Sequence, residues 1–161
     1  MNHQRKAFTM IEIIFVIVIL GILSSVAISK MAVTRDDAQI VKGKANVVAI
    51  RNAIMLTRST NMLQARGAAW PALLDDATTA DNQELFDGNA TMTLFDYPLI
   101  SKNQNGHWRK VVANSGVGAT YSYKIMNTDV NFTYTVNNGL FNCSTTTGSA
   151  TANELCRNLT Q

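Results

Sequence analysis

The chain has 161 residues, of which 47% are hydrophobic, 16% charged and 7% aromatic, with a formal net charge of +3. That length suits about one domain. Setting aside Arg5 and Lys6 leaves 12 basic against 11 acidic side chains, which excludes a basic nucleic-acid stripe. The two histidines, His3 and His107, lie far from the two cysteines, Cys143 and Cys156. That spacing excludes a Cys/His zinc cluster, so no metal and no cofactor is expected.

The chain begins with a basic pair, Arg5-Lys6, followed by an apolar run. Residues 13–29 form 17 consecutive positions without a charge, and extending back to Phe8 gives 22 with one charge, Glu12. Twenty-two helical residues span about 33 Å, close to a bilayer core of about 30 Å. The basic pair should stay cytoplasmic, so the C-terminal bulk faces out. Two simple readings compete here. One is a secretory signal peptide, for which Ser25-Val26-Ala27 offers a small-x-small cleavage site; the other is a plain anchor. Glu12 argues against both, because a carboxylate in an apolar span costs about 2.5–3.5 kcal/mol and neither reading has a use for it.

The stretch Arg5-Lys6-Ala7-Phe8-Thr9-Met10-Ile11-Glu12 resembles the class III leader of type IV pilins and pseudopilins. That family has a basic leader, a small residue, Phe, and Glu at the fifth position after the cut. The resemblance covers residues 1 to about 60 well and the remainder only in layout. It implies that prepilin peptidase cuts between Ala7 and Phe8 on the cytoplasmic face and methylates the new amine of Phe8. It further implies that Glu12 pairs with the N-terminal ammonium of a neighbouring subunit, supplying the partner that a carboxylate in an apolar bundle needs. Two positions depart from the family pattern. Ala7 replaces the usual Gly, and Ser29 stands where many members have a helix-kinking Pro. Gly21 matches a family position where the helix can loosen; Gly costs about 1 kcal/mol relative to Ala in a helix. The other reading of Gly21 is close helix packing in the membrane.

Beyond Ser29 the helical period persists. Ile28, Met31, Ala38, Val41, Ala45, Val48 and Met55 recur at spacings of 3, 4 or 7. Lys30, Arg35, Asp36, Asp37, Lys42, Lys44, Arg51 and Arg58 fit a solvated side. With no Pro before residue 71, one helix is expected from about Phe8 to Met62, apolar all round in its first half and amphipathic in its second. Gly67 and Trp70-Pro71 are the expected stop. Residues 67–90 read as a surface connector with a short helix at 72–76, and residues 92–97 as a strand ended by Pro98.

The clearest strands follow. Residues 121–126 alternate, and Val130, Phe132, Tyr134 and Val136 share one face of the next run. Asn127-Thr128-Asp129 is the expected turn between them, and Asn138-Gly139 a hairpin turn leading into residues 140–143. With residues 108–113 this gives an antiparallel meander of three or four strands. So small a sheet must bury its apolar face against residues 38–60 of the helix. The tail from Ser144 is polar. Cys143 and Cys156 read as a disulfide pinning it, which implies an oxidising compartment; two free thiols in a reducing cytosol are the alternative.

The expected class is therefore α+β and pilin-like. Its segments are a cleaved leader (1–7), an assembly helix (8–29), an amphipathic half (30–66) and a β domain (67–161). No catalytic constellation is visible, and an enzyme is not expected. The leading reading is a structural subunit of a type IV pilus or pilus-like filament, serving adhesion, motility or DNA uptake. The resemblance implies as partners prepilin peptidase, other pilin subunits, an inner-membrane assembly platform and the cytoplasmic membrane. The precursor would sit in the inner membrane with its globular part periplasmic, and then join a periplasmic or extracellular filament. Within the family, a type II secretion pseudopilin is the alternative. Major pseudopilins more often use a calcium site near the C-terminus, whereas this tail has only Glu154 as an acid after Asp129. Outside the family, the alternative is an anchored periplasmic binding module that never polymerises.

Overall fold

The computed structural model describes residues 8–67, 69–89, 92–115, 118–146 and 148–161 and, of residues 29–34, the backbone alone. One helix, α1 (Met10–Leu63), runs through Ser29 without a break. The chain divides into two units, Met1–Asp37 and Ala38–Gln161, and α1 contributes to both. In the first unit, Met10–Ile28 has a mean hydropathy of 2.8 and no buried residue. It is long and apolar enough to cross a membrane.

In the second unit four strands form an antiparallel meander: β5 (Trp108–Ser115), β6 (Gly118–Ile125), β7 (Thr128–Thr135) and β8 (Leu140–Cys143), in that order. Two short ribbons precede it. One pairs β1 (Glu84–Leu85) with β4 (Leu99–Ile100), and the other pairs β2 (Gly88–Asn89) with β3 (Met92–Thr93). Alternation puts Ala119, Tyr121, Tyr123 and Ile125 of β6 and Val130, Phe132 and Tyr134 of β7 inward. The register sets Tyr121 opposite Phe132, Tyr123 opposite Val130 and Tyr134 opposite Phe141. In β5 the alternation breaks: Trp108 and Lys110 are buried, but a register shift after Lys110 turns Val112 outward.

The core joins this sheet to α1. Val47, Ile50 and Ile54, spaced by 3 and 4, are buried with the strand aromatics. Phe86 and Trp108 meet at 5.8 Å edge-on, Trp108 and Tyr123 at 4.9 Å, and Phe132 stacks on Phe141 at 5.2 Å. Each such pair adds about 0.5–1.5 kcal/mol beyond its area. At Gly43 of α1 a Cβ would collide with the Tyr123 ring and with Leu159. Polar contacts close the seam: Lys42 Nζ donates to Gly106 O at 2.8 Å, Tyr123 Oη to Gln39 O at 2.9 Å and Arg51 Nε to Phe141 O at 3.1 Å.

Several sequence expectations are corrected. The helix packs on the sheet through Gly43, Val47, Ile50, Ile54 and Thr57, not through Ala38, Val41, Ala45, Val48 and Met55, which are exposed. Its stop comes before Gly67. Arg66 N donates to Asn61 O at 2.9 Å and Ala65 N to Met62 O at 3.2 Å, with Ala65 left-handed at φ 55°. That is a Schellman closure with Ala in the place Gly usually fills. Residues 67–90 are no mere surface connector, since Leu74, Asp75, Leu85 and Phe86 are buried, and residues 72–76 form no helix. Of residues 92–97 only Met92–Thr93 is strand. The turn before β7 is Met126-Asn127, both left-handed at φ 48° and 61°, as a two-residue hairpin with right-handed strand twist requires; Thr128 and Asp129 belong to β7.

The polar tail is the largest correction. It folds into a second helix, α2 (Ala150–Thr160), capped by Ser149, whose Oγ accepts from Ala152 N at 3.1 Å. Leu155, Cys156 and Leu159 are buried. Cys143, at the end of β8, is disulfide-bonded to Cys156 with the Cα atoms 5.9 Å apart, so the bridge ties a strand to a helix rather than to a loop. The architecture is α+β, with a long N-terminal apolar helix, a second helix and small antiparallel sheets, consistent with a pilin-like fold.

Candidate functional site

Phe8 and Thr9 precede the first helical residue, Met10. Glu12 N donates to Thr9 O at 3.1 Å and to Thr9 Oγ1 at 3.3 Å. Thr9-Met10-Ile11-Glu12 therefore carries a capping-box pattern, with Thr9 at the N-cap and Glu12 three residues on. Glu12 is the acidic residue of the first turn, where the helix dipole favours negative charge. The spacing Thr-x-x-Glu is the sequence signal for this cap, and it gives Glu12 a place at the helix start besides its expected part in assembly.

Phe8, Glu12, Ile13, Val16 and Ile17 line one shallow hollow. Phe8 and Glu12, four residues apart, thus lie beside each other at the start of one helix. Ala7 and the basic pair lie outside the described residues. Gly21, nine residues beyond Glu12, has nothing within 4 Å of where a Cβ would stand. Close by, Ser24 Oγ donates back to Leu20 O at 2.7 Å, a side-chain bond that competes with the helix ladder.

The second unit adds a feature of its own. Ala38, Val41, Ala45, Val48, Asn52, Met55, Ser59 and Met62 follow alternating steps of 3 and 4 along α1. All eight are exposed, Met62 at 47%. That is the 3.5-residue period of a helix-on-helix seam, and within its own unit this seam is not part of the core.

Two other polar groupings are structural. Lys110 Nζ meets Asp75 Oδ1 at 2.5 Å with both side chains fully buried. The Asp75 carboxylate also accepts from Ala77 N and Phe86 N, each at 3.1 Å, and Lys110 donates to Ala77 O at 2.9 Å. These bonds fasten the segment around residues 75–86 to β5. Desolvation pushes the Asp87 carboxyl above its ordinary range, with the nearby charge of Asp75 adding to it. The ring Nδ1 of His107 lies 3.2 Å from Asn105 O. Among the described residues no three of His, Cys, Asp or Glu gather as a metal site would require.

Residues 2–28 match the family model of the prokaryotic N-terminal methylation motif. No curated protein and no solved structure matches the chain. The match spans the basic pair, Ala7, Phe8, Glu12 and the apolar helix to Ile28. That motif, at the head of an α+β layout led by a long apolar helix, supports a likeness to the type IV pilin-like precursors of the prepilin and pseudopilin family.

Proposed function

We propose that this protein is a structural subunit of a type IV pilus or pilus-like filament. In this reading prepilin peptidase cuts it between Ala7 and Phe8, methylates Phe8 and releases it to polymerise through α1. The observation that carries the proposal is the exposed apolar seam of α1 in the second unit, Ala38 to Met62, on a helix that starts with the methylation motif. Val41, Val48 and Met55 are 68%, 49% and 61% exposed. An exposed stripe of this kind, apolar except at Asn52 and Ser59, marks an interaction surface, and its 3.5 period suits another helix of the same kind.

Charge supports the same reading at the helix start. Cleavage before Phe8 creates an ammonium at the positive end of the α1 dipole, where a cation is disfavoured. It therefore seeks a carboxylate, and Glu12 is the one carboxylate of the first turn. Within an apolar bundle each charge neutralises the other, so pairing the Phe8 amine of one subunit with Glu12 of its neighbour favours assembly over the free subunit. The disulfide joining β8 to α2 supports a pilus subunit over the calcium-bearing tail of major pseudopilins. It also fits a periplasmic or extracellular location.

Glu12→Val tests the pairing. The variant should be cut and methylated normally, while sheared filament yield falls by more than about tenfold, the effect of losing about 1.4 kcal/mol per contact. Filaments at the parental level from Glu12→Val would refute the pairing.

A further inference from the structure

The buried pair of Lys110 and Asp75 has a chemistry that the assembly reading leaves unused. Lys110 Nζ, on β5, stands 2.5 Å from Asp75 Oδ1, and both side chains are 0% exposed. Cγ of Asp75 is one bond beyond Oδ1, so Nζ faces it at about the 3–3.5 Å of a near-attack arrangement. The carboxyl is polarised through both oxygens: Ala77 N donates to Oδ1 and Phe86 N to Oδ2, each at 3.1 Å. Backbone amides so placed also stabilise the negative oxygen of a tetrahedral intermediate. A further bond, from Nζ to Ala77 O at 2.9 Å, fixes the nitrogen. The wall beside the pair is aromatic. The Tyr121 ring centre lies 5.7 Å from Nζ, Phe86 packs on Tyr121 at 4.6 Å, and both rings are fully buried.

Charges buried this deeply are costly to keep. Moving one proton from Nζ to Oδ1 along their hydrogen bond removes both charges and leaves a neutral amine, a nucleophile, beside a neutral acid. We propose that Lys110 and Asp75 condense into an isopeptide bond, an amide between Nζ and Cγ that ties β5 to the segment around residues 75–86. Nζ attacks Cγ, the N–C bond forms, and the negative charge collects on Oδ2, where Phe86 N donates. A second proton then passes from the nitrogen to the Oδ1 hydroxyl, the Cγ–Oδ1 bond breaks and one water leaves. An ammonium and a carboxylate thus become an amide and water, with no other reactant. The Asp87 carboxyl, which burial and the charge of Asp75 hold above its ordinary range, is an acid that can relay the second proton. Water expelled from so dry a site is not at hand to reverse the step. The ion pair is the state before reaction. The proposal goes beyond the filament reading and does not depend on it.

The experiment uses the full chain, purified in detergent micelles, then denatured, reduced and digested with trypsin. Cleavage after Lys and Arg places Asp75 in the peptide 67–102. A free Lys110 is itself a cleavage point and releases the peptide 111–124, whereas an amidated Lys110 is not cut and stays in 110–124. Mass spectrometry of the parent digest should find 67–102 joined to 110–124, lighter than the two separate peptides by one water. Fragmentation should place the link between Asp75 and Lys110. Lys110→Arg keeps a cation opposite Asp75 but has no amine to condense, and its digest should contain 67–102 unlinked. If Lys110→Arg misfolds, the parent digest still decides. A parent digest in which 67–102 is unlinked and 111–124 is released shows a non-covalent ion pair only, and overturns the proposal.

Discussion

At the scale of single residues, the N-terminal motif is legible because it is written in contiguous sequence. Arg5 to Glu12 carries its whole signal in eight positions, and the methylation-motif match covers them. Thr9 shows what a motif can hide: a residue that reads as one more motif position is also the N-cap of α1. Ala65 was not legible at all. A helix stop is read from Gly, and Gly67 stands two residues beyond Ala65, the residue that turns the chain. Ala in a left-handed conformation costs about 1–2 kcal/mol, part of which glycine returns as unfolded-chain entropy. Ala65→Gly should therefore stabilise the protein by a net of about 0.5–1 kcal/mol, seen as a higher guanidinium midpoint with an unchanged slope. A lower midpoint would show that the Ala65 methyl makes contacts that outweigh the backbone strain.

At the scale of elements, the strands were legible and the connections were not. β6 and β7 alternate, and alternation is decisive when one face is buried. The second half of α1 carries apolar residues on two faces, and periodicity alone cannot say which of them meets the sheet. Gly43 breaks the tie: it has no side chain to suggest a core position, yet Tyr123 and Leu159 lean on it. The 67–90 segment was unreadable for a related reason, since Leu74, Leu85 and Phe86 are pulled inward without any period. Lys110 is a strand charge whose partner, Asp75, lies 35 residues earlier and is buried beside it, a pairing that no local pattern in the sequence encodes. Removing one member of a buried pair costs about 3–5 kcal/mol because the other is left uncompensated. Lys110→Met should lose that much in chemical unfolding. Combining it with Asp75→Asn should recover at least about 1 kcal/mol, the coupling expected of residues in contact. Additive losses would show that the two residues stabilise the segment independently.

At the scale of the whole molecule, α2, the Cys143–Cys156 bridge and the aromatic cluster make the second unit one cooperative body. Its tyrosines give that body a pH limit. Burial raises the phenols of Tyr121, Tyr123 and Tyr134 above the ordinary value of 10.0, that of Tyr123 to about 12. A raised folded-state value means that the stabilisation is fully present below the unfolded pKa and is lost as pH climbs through the folded one. Thermal stability should hold to about pH 10 and fall steeply towards pH 12, with tyrosinate absorbance from the core rings rising together with unfolding. Core tyrosinate formed ahead of any loss of structure would contradict the burial of these rings.

The account rests on one event at the other end of the chain, the conversion of a basic leader into a methylated amine facing Glu12. Intact-mass and N-terminal peptide mass spectrometry of the mature protein from its native host tests it most directly. The account predicts a chain that begins at Phe8 and carries a single N-methyl group. A mature N-terminus at Ile28, the product of ordinary signal-peptide cleavage, or an uncut chain still beginning at Met1, would contradict it.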